Sequence, residues 1–338
     1  MNKYIARVAI LLFVLVLILP LLLYVLRQPA NAWGFWAHKR INRLAVFTLP
    51  PEMIGFYKEN IEYITEHAVD PDKRRYATVD EAPRHYIDLD RYGAYPFNEV
   101  PRRWDEAASK FTEDTLKAHG IVPWHVELML YRLTDAFKEG NSNRVLRLSA
   151  EIGHYIADAH VPLHTSSNYN GQKTNQQGIH GFWESRIPEL FGDNYDYWVG
   201  KARYVSKPNE TIWNFVLESA NAVDSVLSFE RELTLASGTD EKYCYETRAQ
   251  TIVQTYCEDF SKNYSDMLNG MIERRMRDAV INVGSFWYTA WVRAGQPDLN
   301  KLDITPLTAE EERELQELEK AFQKGEIKGR AHPNHPHP

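Results

Sequence analysis

Residues 151–184 read EIGHYIADAHVPLHTSSNYNGQKTNQQGIHGFWE, from Glu151 to Glu184. Leu148, Ile152, Tyr155 and Ala159 recur at 3–4 spacing and predict a helix, which Pro162 ends. His154 and Asp158 are four apart on that helix. They share a face, with Cβ atoms ~5–6 Å apart, so imidazole and carboxylate can converge on one zinc at ~2.0–2.2 Å. His164 sits just past the helix end, and His180 and Glu184 repeat the four-residue spacing on the next predicted helix. A single His-x3-Asp pair is usually surface chemistry. Two such pairs, with a histidine set between them by a helix break, point to a metal site.

The same helical period runs outward in both directions. Pro123 suits a first turn, and Val126, Leu130, Leu133 and Phe137 follow it. Ile212, Phe215, Val216, Val223 and Leu227 form another stripe, and Met276, Val280, Val283, Trp287 and Trp291 one more. No convincing run of alternating strand residues is found. Residues 33–300 are therefore expected to form a single all-α domain. In residues 301–338, Thr308 and Glu311 fit a capping box opening a charged, solvated helix, and the His/Pro end from His332 to Pro338 suits a disordered tail. The composition, 44% hydrophobic and 25% charged, excludes a mainly disordered or collagen-like chain. The net charge of −7 argues against a protein that coats duplex nucleic acid with a broad basic face.

At the start, Lys3 and Arg7 precede an uncharged run of 19 residues, Val8 to Leu26, and Ala30-Asn31-Ala32 gives a small-residue cleavage site before Trp33. Residues 1–32 read as a signal peptide, or as a membrane anchor if they are not cleaved. Either reading places the rest of the chain outside the cytoplasm, periplasmic or secreted. Removal leaves a net charge of −10. In an oxidising compartment the two cysteines, Cys244 and Cys257, can pair if a turn lies between them; the sequence leaves that pairing open.

Upstream of the quoted stretch lie Trp33-Gly34-Phe35-Trp36-Ala37-His38, Asp70, and His85-Tyr86-Ile87-Asp88. A leading Trp, an Asp…His pair, H-x3-D-x5-H and H-x3-E, in that order, resemble the superfamily of zinc-dependent bacterial phospholipases C and single-strand-specific zinc nucleases. The resemblance runs from Trp33 to about Trp291. It implies three zinc ions in a surface cleft. Asp70, His85, His154 and Asp158 would hold the first, and His164, His180 and Glu184 the second. The third would take the Trp33 amine and carbonyl, His38 and the other oxygen of Asp158. A free Trp33 amine requires cleavage after Ala32, so the resemblance favours a signal peptide. Asp72 rivals Asp70, which is preferred for its spacing to His85. His67, His119, His125, His160, His332, His335 and His337 have no place in the pattern.

Three Zn2+ against three carboxylates leave a cationic pocket suited to a phosphodiester substrate. The resemblance gives Asp70 a second role, orienting the attacking water. It sets Lys73 where the nucleases carry a phosphoryl-binding arginine, with Arg74 and Arg75 as substitutes and a solvated basic turn as the plain alternative. Tyr86 and Asp88 stand where the nucleases stack and read a base, though either could be structural. Glu184 as last ligand leans toward a phospholipase C acting on a lipid head group. The runner-up is a nuclease or 3'-nucleotidase acting on single-stranded nucleic acid or nucleotides. An exported zinc-binding protein without catalysis, and peripheral membrane contact, stay open. No protein partner is implied.

Overall fold

Stretches with apolar spacing of three to four become helices. In chain order they are α1 (Phe35–Ala45), α2 (Pro51–Glu59), α3 (Ile61–Glu66), α4 (Asp70–Arg74), α5 (Trp104–Phe111), α6 (Glu113–His119), α7 (Val122–Glu139) and α8 (Ser142–Ala159). Then α9 (Ile179–Gly181) runs through a π-turn (Phe182–Arg186) into α10 (Ile187–Phe191), followed by α11 (Pro208–Ser237). A hairpin of β1 (Tyr243–Arg248) and β2 (Thr251–Tyr256) precedes α12 (Glu258–Met267), α13 (Met271–Arg293) and α14 (Ala309–Lys324). This computed structural model describes residues 34–238, 240–248, 251–302 and 309–330. The protein is all-α apart from that small antiparallel sheet.

Helix α7 starts with Pro123 in its first turn and ends at Gly140, whose φ of 73° is the left-handed geometry that glycine reaches without strain. Asn141 then caps α8, its side chain accepting from the Arg144 N–H at 3.0 Å. The stripes of α7, α8 and α13 are buried. They meet α1 in the core, where Trp287 stacks on Tyr57 at 4.9 Å and donates to the Ser149 carbonyl at 2.9 Å. Gly153 of α8 lies so close to Asn42 of α1 that a Cβ there would overlap the amide. That close packing sets α8 with one face in the core and its His154–Asp158 face toward α1. Pro162 ends the helix as expected, and a 3-10 turn (Pro162–Thr165) presents His164.

Two expectations change. The β-hairpin was not legible, because its burial alternates mainly between half-buried and exposed, with Ile252 and Tyr245 on the exposed face, so the period-2 contrast is weak. It supplies the turn that lets Cys244 and Cys257 join in a disulfide, with Cα atoms 5.0 Å apart. The charged helix α14 is also more than a solvated tail. Phe322 is buried against Phe35, Val69 and Tyr76, and Glu319 lies 3.6 Å from Lys73. Trp33, Thr308 and the His/Pro end fall outside the described residues, as does the apolar run 8–26. Among the described residues no helix is long and apolar enough to cross a membrane.

Candidate metal centre

One carboxylate organises the site. Asp158, 1% exposed on α8, places Oδ2 2.9 Å from His85 Nδ1 and 3.2 Å from His154 Nε2. Its other oxygen lies 3.4 Å from Nε2 of His38 on α1. His85 comes from a 3-10 turn (Ala82–His85), and its Nδ1 is 3.1 Å from His154 Nε2. Asp72 Oδ1 closes this group at 3.7 Å from His85 and 3.8 Å from His154. Beyond it, His164 Nε2 lies 3.2 Å from both His180 Nε2 and Glu184 Oε2, and His180 is 2.8 Å from Glu184. Glu184 Oε1 reaches to 4.0 Å from His38. The π-turn that carries Glu184 keeps the His180–Glu184 pairing expected from the sequence.

These residues fit a group of zinc ions on geometric grounds. Ligands at ~2.0–2.1 Å from a tetrahedral zinc stand ~3.3 Å from one another, close to the separations within each group. The tautomers agree. Outward-facing Nδ1 atoms of His154, His164 and His180 donate to the carbonyls of Ala68 (2.8 Å), His85 (2.6 Å) and Tyr169 (3.0 Å). Each Nε2 lone pair is thereby turned inward, the arrangement that metal-binding histidines adopt. The ring nitrogens of His154 and His85, and of His164 and His180, approach to 3.1–3.2 Å, the spacing that two ligands of one zinc would have.

Charge follows the same logic. Burial alone raises a carboxyl, yet the His154 and His164 charges hold Asp158 well below the usual carboxylate range. His180 does the same for Glu184. Burial pushes His154 and His180 down, whereas against the same burial the Asp158 carboxylate raises His38, His85 and His164. Beside both groups Arg75, 2% exposed, lines a cavity with His85, Tyr86, His164, Tyr169 and His180. Its Nε and Nη1 make no hydrogen bond among the described residues, so a buried cation stands with donor capacity to spare.

Of the residues expected at the site, His38, His85, His154, Asp158, His164, His180 and Glu184 come together in three neighbouring groups, two of which share His154. Asp70 does not. Its carboxylate turns to His67 at 2.6 Å and Lys73 at 3.9 Å, and Asp72, two residues along α4, faces the histidines instead. Lys73 is likewise corrected: it points to Asp70, Glu319 and the Phe322 ring, away from the cavity. Arg75, at the same three-residue offset from Asp72, is the basic side chain that lines the cavity. Tyr86 lines the cavity and Asp88 lies behind Arg330, which packs against both. Tyr169 and Arg330 carried no local signal. Gly34, beside the undescribed Trp33, comes close enough that an added Cβ would lie 3.2 Å from Glu184 Oε1.

Comparison with known families yields one match: the zinc dependent phospholipase C family model covers residues 37–235, more than half of the chain. No curated protein matches the chain.

Proposed function

Since the chain belongs to the zinc dependent phospholipase C family, we propose that it is an exported phosphodiesterase that hydrolyses the head-group ester of a phospholipid. The observation that carries this reading is the meeting of three buried ligand groups around Asp158 and Glu184, with Arg75 beside them. Asp72, His85, His154 and Asp158 would hold one zinc, and His164, His180 and Glu184 a second. His38 and the far oxygen of Asp158 would hold a third, completed by the Trp33 amine once cleavage after Ala32 frees it. Zinc, when bound, supplies Lewis acidity and lowers the pKa of water to ~7, so that hydroxide is available at neutral pH.

The chain's own residues do the rest. Asp72 inherits the role expected of Asp70, orienting the attacking water toward phosphorus. Arg75 offers its spare N–H donors to a phosphoryl oxygen whose charge grows in the transition state. In that buried setting a prearranged guanidinium acts with less screening than in water. The carbonyls that fix His154, His164 and His180 keep the ligands in place through turnover.

A nuclease reading has one observation in its favour. Tyr86 and Tyr169 face each other across a planar group at 3.9 and 3.7 Å, a slot in which a base could stack. Purified zinc-loaded protein assayed on phosphatidylcholine and on denatured DNA separates the two readings. Hydrolysis of phosphatidylcholine is expected. Cleavage of DNA alone would transfer the site to the nucleases. A fully metallated protein silent on both would make it a zinc-binding protein without catalysis.

A further inference from the structure

The planar group in the Tyr86–Tyr169 slot belongs to the chain itself. The Arg330 guanidinium lies 3.9 Å from the Tyr86 ring centre and 3.7 Å from that of Tyr169, and its Nη1 is 2.8 and 3.0 Å from the two Asp88 oxygens. Two aromatic faces and a carboxylate form a cage for a cation. The Arg330 backbone occupies a second position, since its carbonyl accepts from Arg75 Nη2 at 2.7 Å. One residue thus presents an oxygen to the buried arginine and a positive charge to the aromatic cage, side by side over His85, His164 and His180.

The segment bringing it there is anchored. Phe322 is buried, the Lys328 N–H donates to the Arg75 carbonyl at 2.9 Å, and Lys328 Nζ to the Ala77 carbonyl at 2.9 Å. Gly329, at φ 87°, passes close enough to Ala82 that an added Cβ would sit 3.3 Å from it. With this strap in place Tyr86 is 8% and Asp88 6% exposed. The strap lies wholly outside the stretch 37–235 that the family shares.

We propose that residues 325–330 are a built-in plug, in which Arg330 imitates a phosphodiester bearing a positively charged head group: its carbonyl stands for a phosphoryl oxygen on Arg75, and its guanidinium for the head-group cation between Tyr86 and Tyr169. This rests on the phosphodiesterase reading above for the meaning of the mimicry. Substrate reaches the site only when the strap lifts, and a ligand that competes for both positions lifts it. The apparent affinity of such a ligand falls by the fraction of time the site is open, so a strap closed nine-tenths of the time weakens binding roughly tenfold.

The test uses full-length zinc-loaded protein and phosphocholine, a small molecule with both a phosphate and a quaternary cation. Calorimetric titration measures binding, and hydrolysis of a soluble choline phosphodiester measures turnover. Arg330→Ala, which empties the cage, and Phe322→Ala, which frees the strap at its anchor, are each expected to tighten phosphocholine binding tenfold or more and to raise kcat/KM in step. Adding Tyr86→Ala to Arg330→Ala should abolish the gain. Tighter binding with no hydrolysis by any of the proteins would leave the plug standing and remove the phosphodiesterase reading. Unchanged or weaker binding in both single variants would overturn the plug; weaker binding in Arg330→Ala alone would make Arg330 a substrate-binding residue instead.

Discussion

Replacing Asp158 by asparagine tests the centre where it is most concentrated. The carboxylate has imidazole nitrogens at 2.9, 3.2 and 3.4 Å, from His85, His154 and His38. It is the carboxylate that joins two of the groups, one oxygen to each. Asp158→Asn keeps the shape but removes the charge and turns an NH2 toward lone pairs that point inward. Taking one partner from a buried charged network costs ~3–5 kcal/mol, which at ~1.4 kcal/mol per decade is two to four orders of magnitude in affinity. Both metals that it bridges should feel that loss. Zinc content after dialysis, measured by elemental analysis, is expected to fall by more than one ion per chain, with phosphodiesterase activity abolished. Glu184→Asp, which keeps the charge and only shortens the reach, should retain measurable activity. Circular dichroism checks that both variants remain helical. Full zinc content and normal turnover in Asp158→Asn would refute the bridging role and, with it, most of the case for a trinuclear enzyme.

Other outcomes follow from residues away from the metals. Lys242 is 2.5 Å from Glu230, and both are buried; Lys242→Met leaves the carboxylate without its counter-charge, and urea unfolding should show a loss of ~3–5 kcal/mol. Burial, helped by the Arg84 charge, pushes His125 down to about 3 from 6.5. Between those values the unfolded chain binds the extra proton, so this residue's contribution is intact above pH 6.5 and is lost as pH falls, by up to ~1.4 kcal/mol per unit. His125→Phe should flatten that part of the stability–pH curve, and an unchanged slope in urea titrations between pH 7 and about 4.5 would discard the assignment. Gly153→Ala forces α8 away from Asn42 and should cost ~1–3 kcal/mol in the same measurement.

The helices and most of the clustered histidines and carboxylates were legible because both depend on local spacing. A stripe at 3–4 intervals must bury one face, and His154 with Asp158 must share one. The choice between Asp70 and Asp72 was different. Asp70-Pro71-Asp72 opens a short helix, and which carboxylate faces inward is decided by how that helix docks and by His67, which captures Asp70. The two-residue shift in the carboxylate that faces the histidines goes with the same shift in the basic side chain at the cavity, from Lys73 to Arg75. Arg330 was beyond reach for a plainer reason: its partners Asp88 and Arg75 are 242 and 255 positions away, and no local pattern marks such a contact. The hairpin escaped because strands with apolar side chains such as Ile252 and Tyr245 on the exposed face lack the contrast that reveals strands.

The closeness of Gly34 to Glu184 fixes how far this centre can stand from whatever precedes it. Eight peptide steps join Leu26, the last residue of the apolar run, to Gly34. At ~3.3–3.6 Å per residue the chain between them spans at most about 30 Å. If the run stays in a bilayer, the centre is tethered within that distance of the lipid head groups, and the enzyme works as a surface scooter on its own membrane. If the run is cut away after Ala32, only the step from Trp33 to Gly34 is left of the eight, and the protein is free to diffuse to a membrane elsewhere. On the proposed reading, one peptide bond would decide both whether the Trp33 amine is free and which lipids the site can meet.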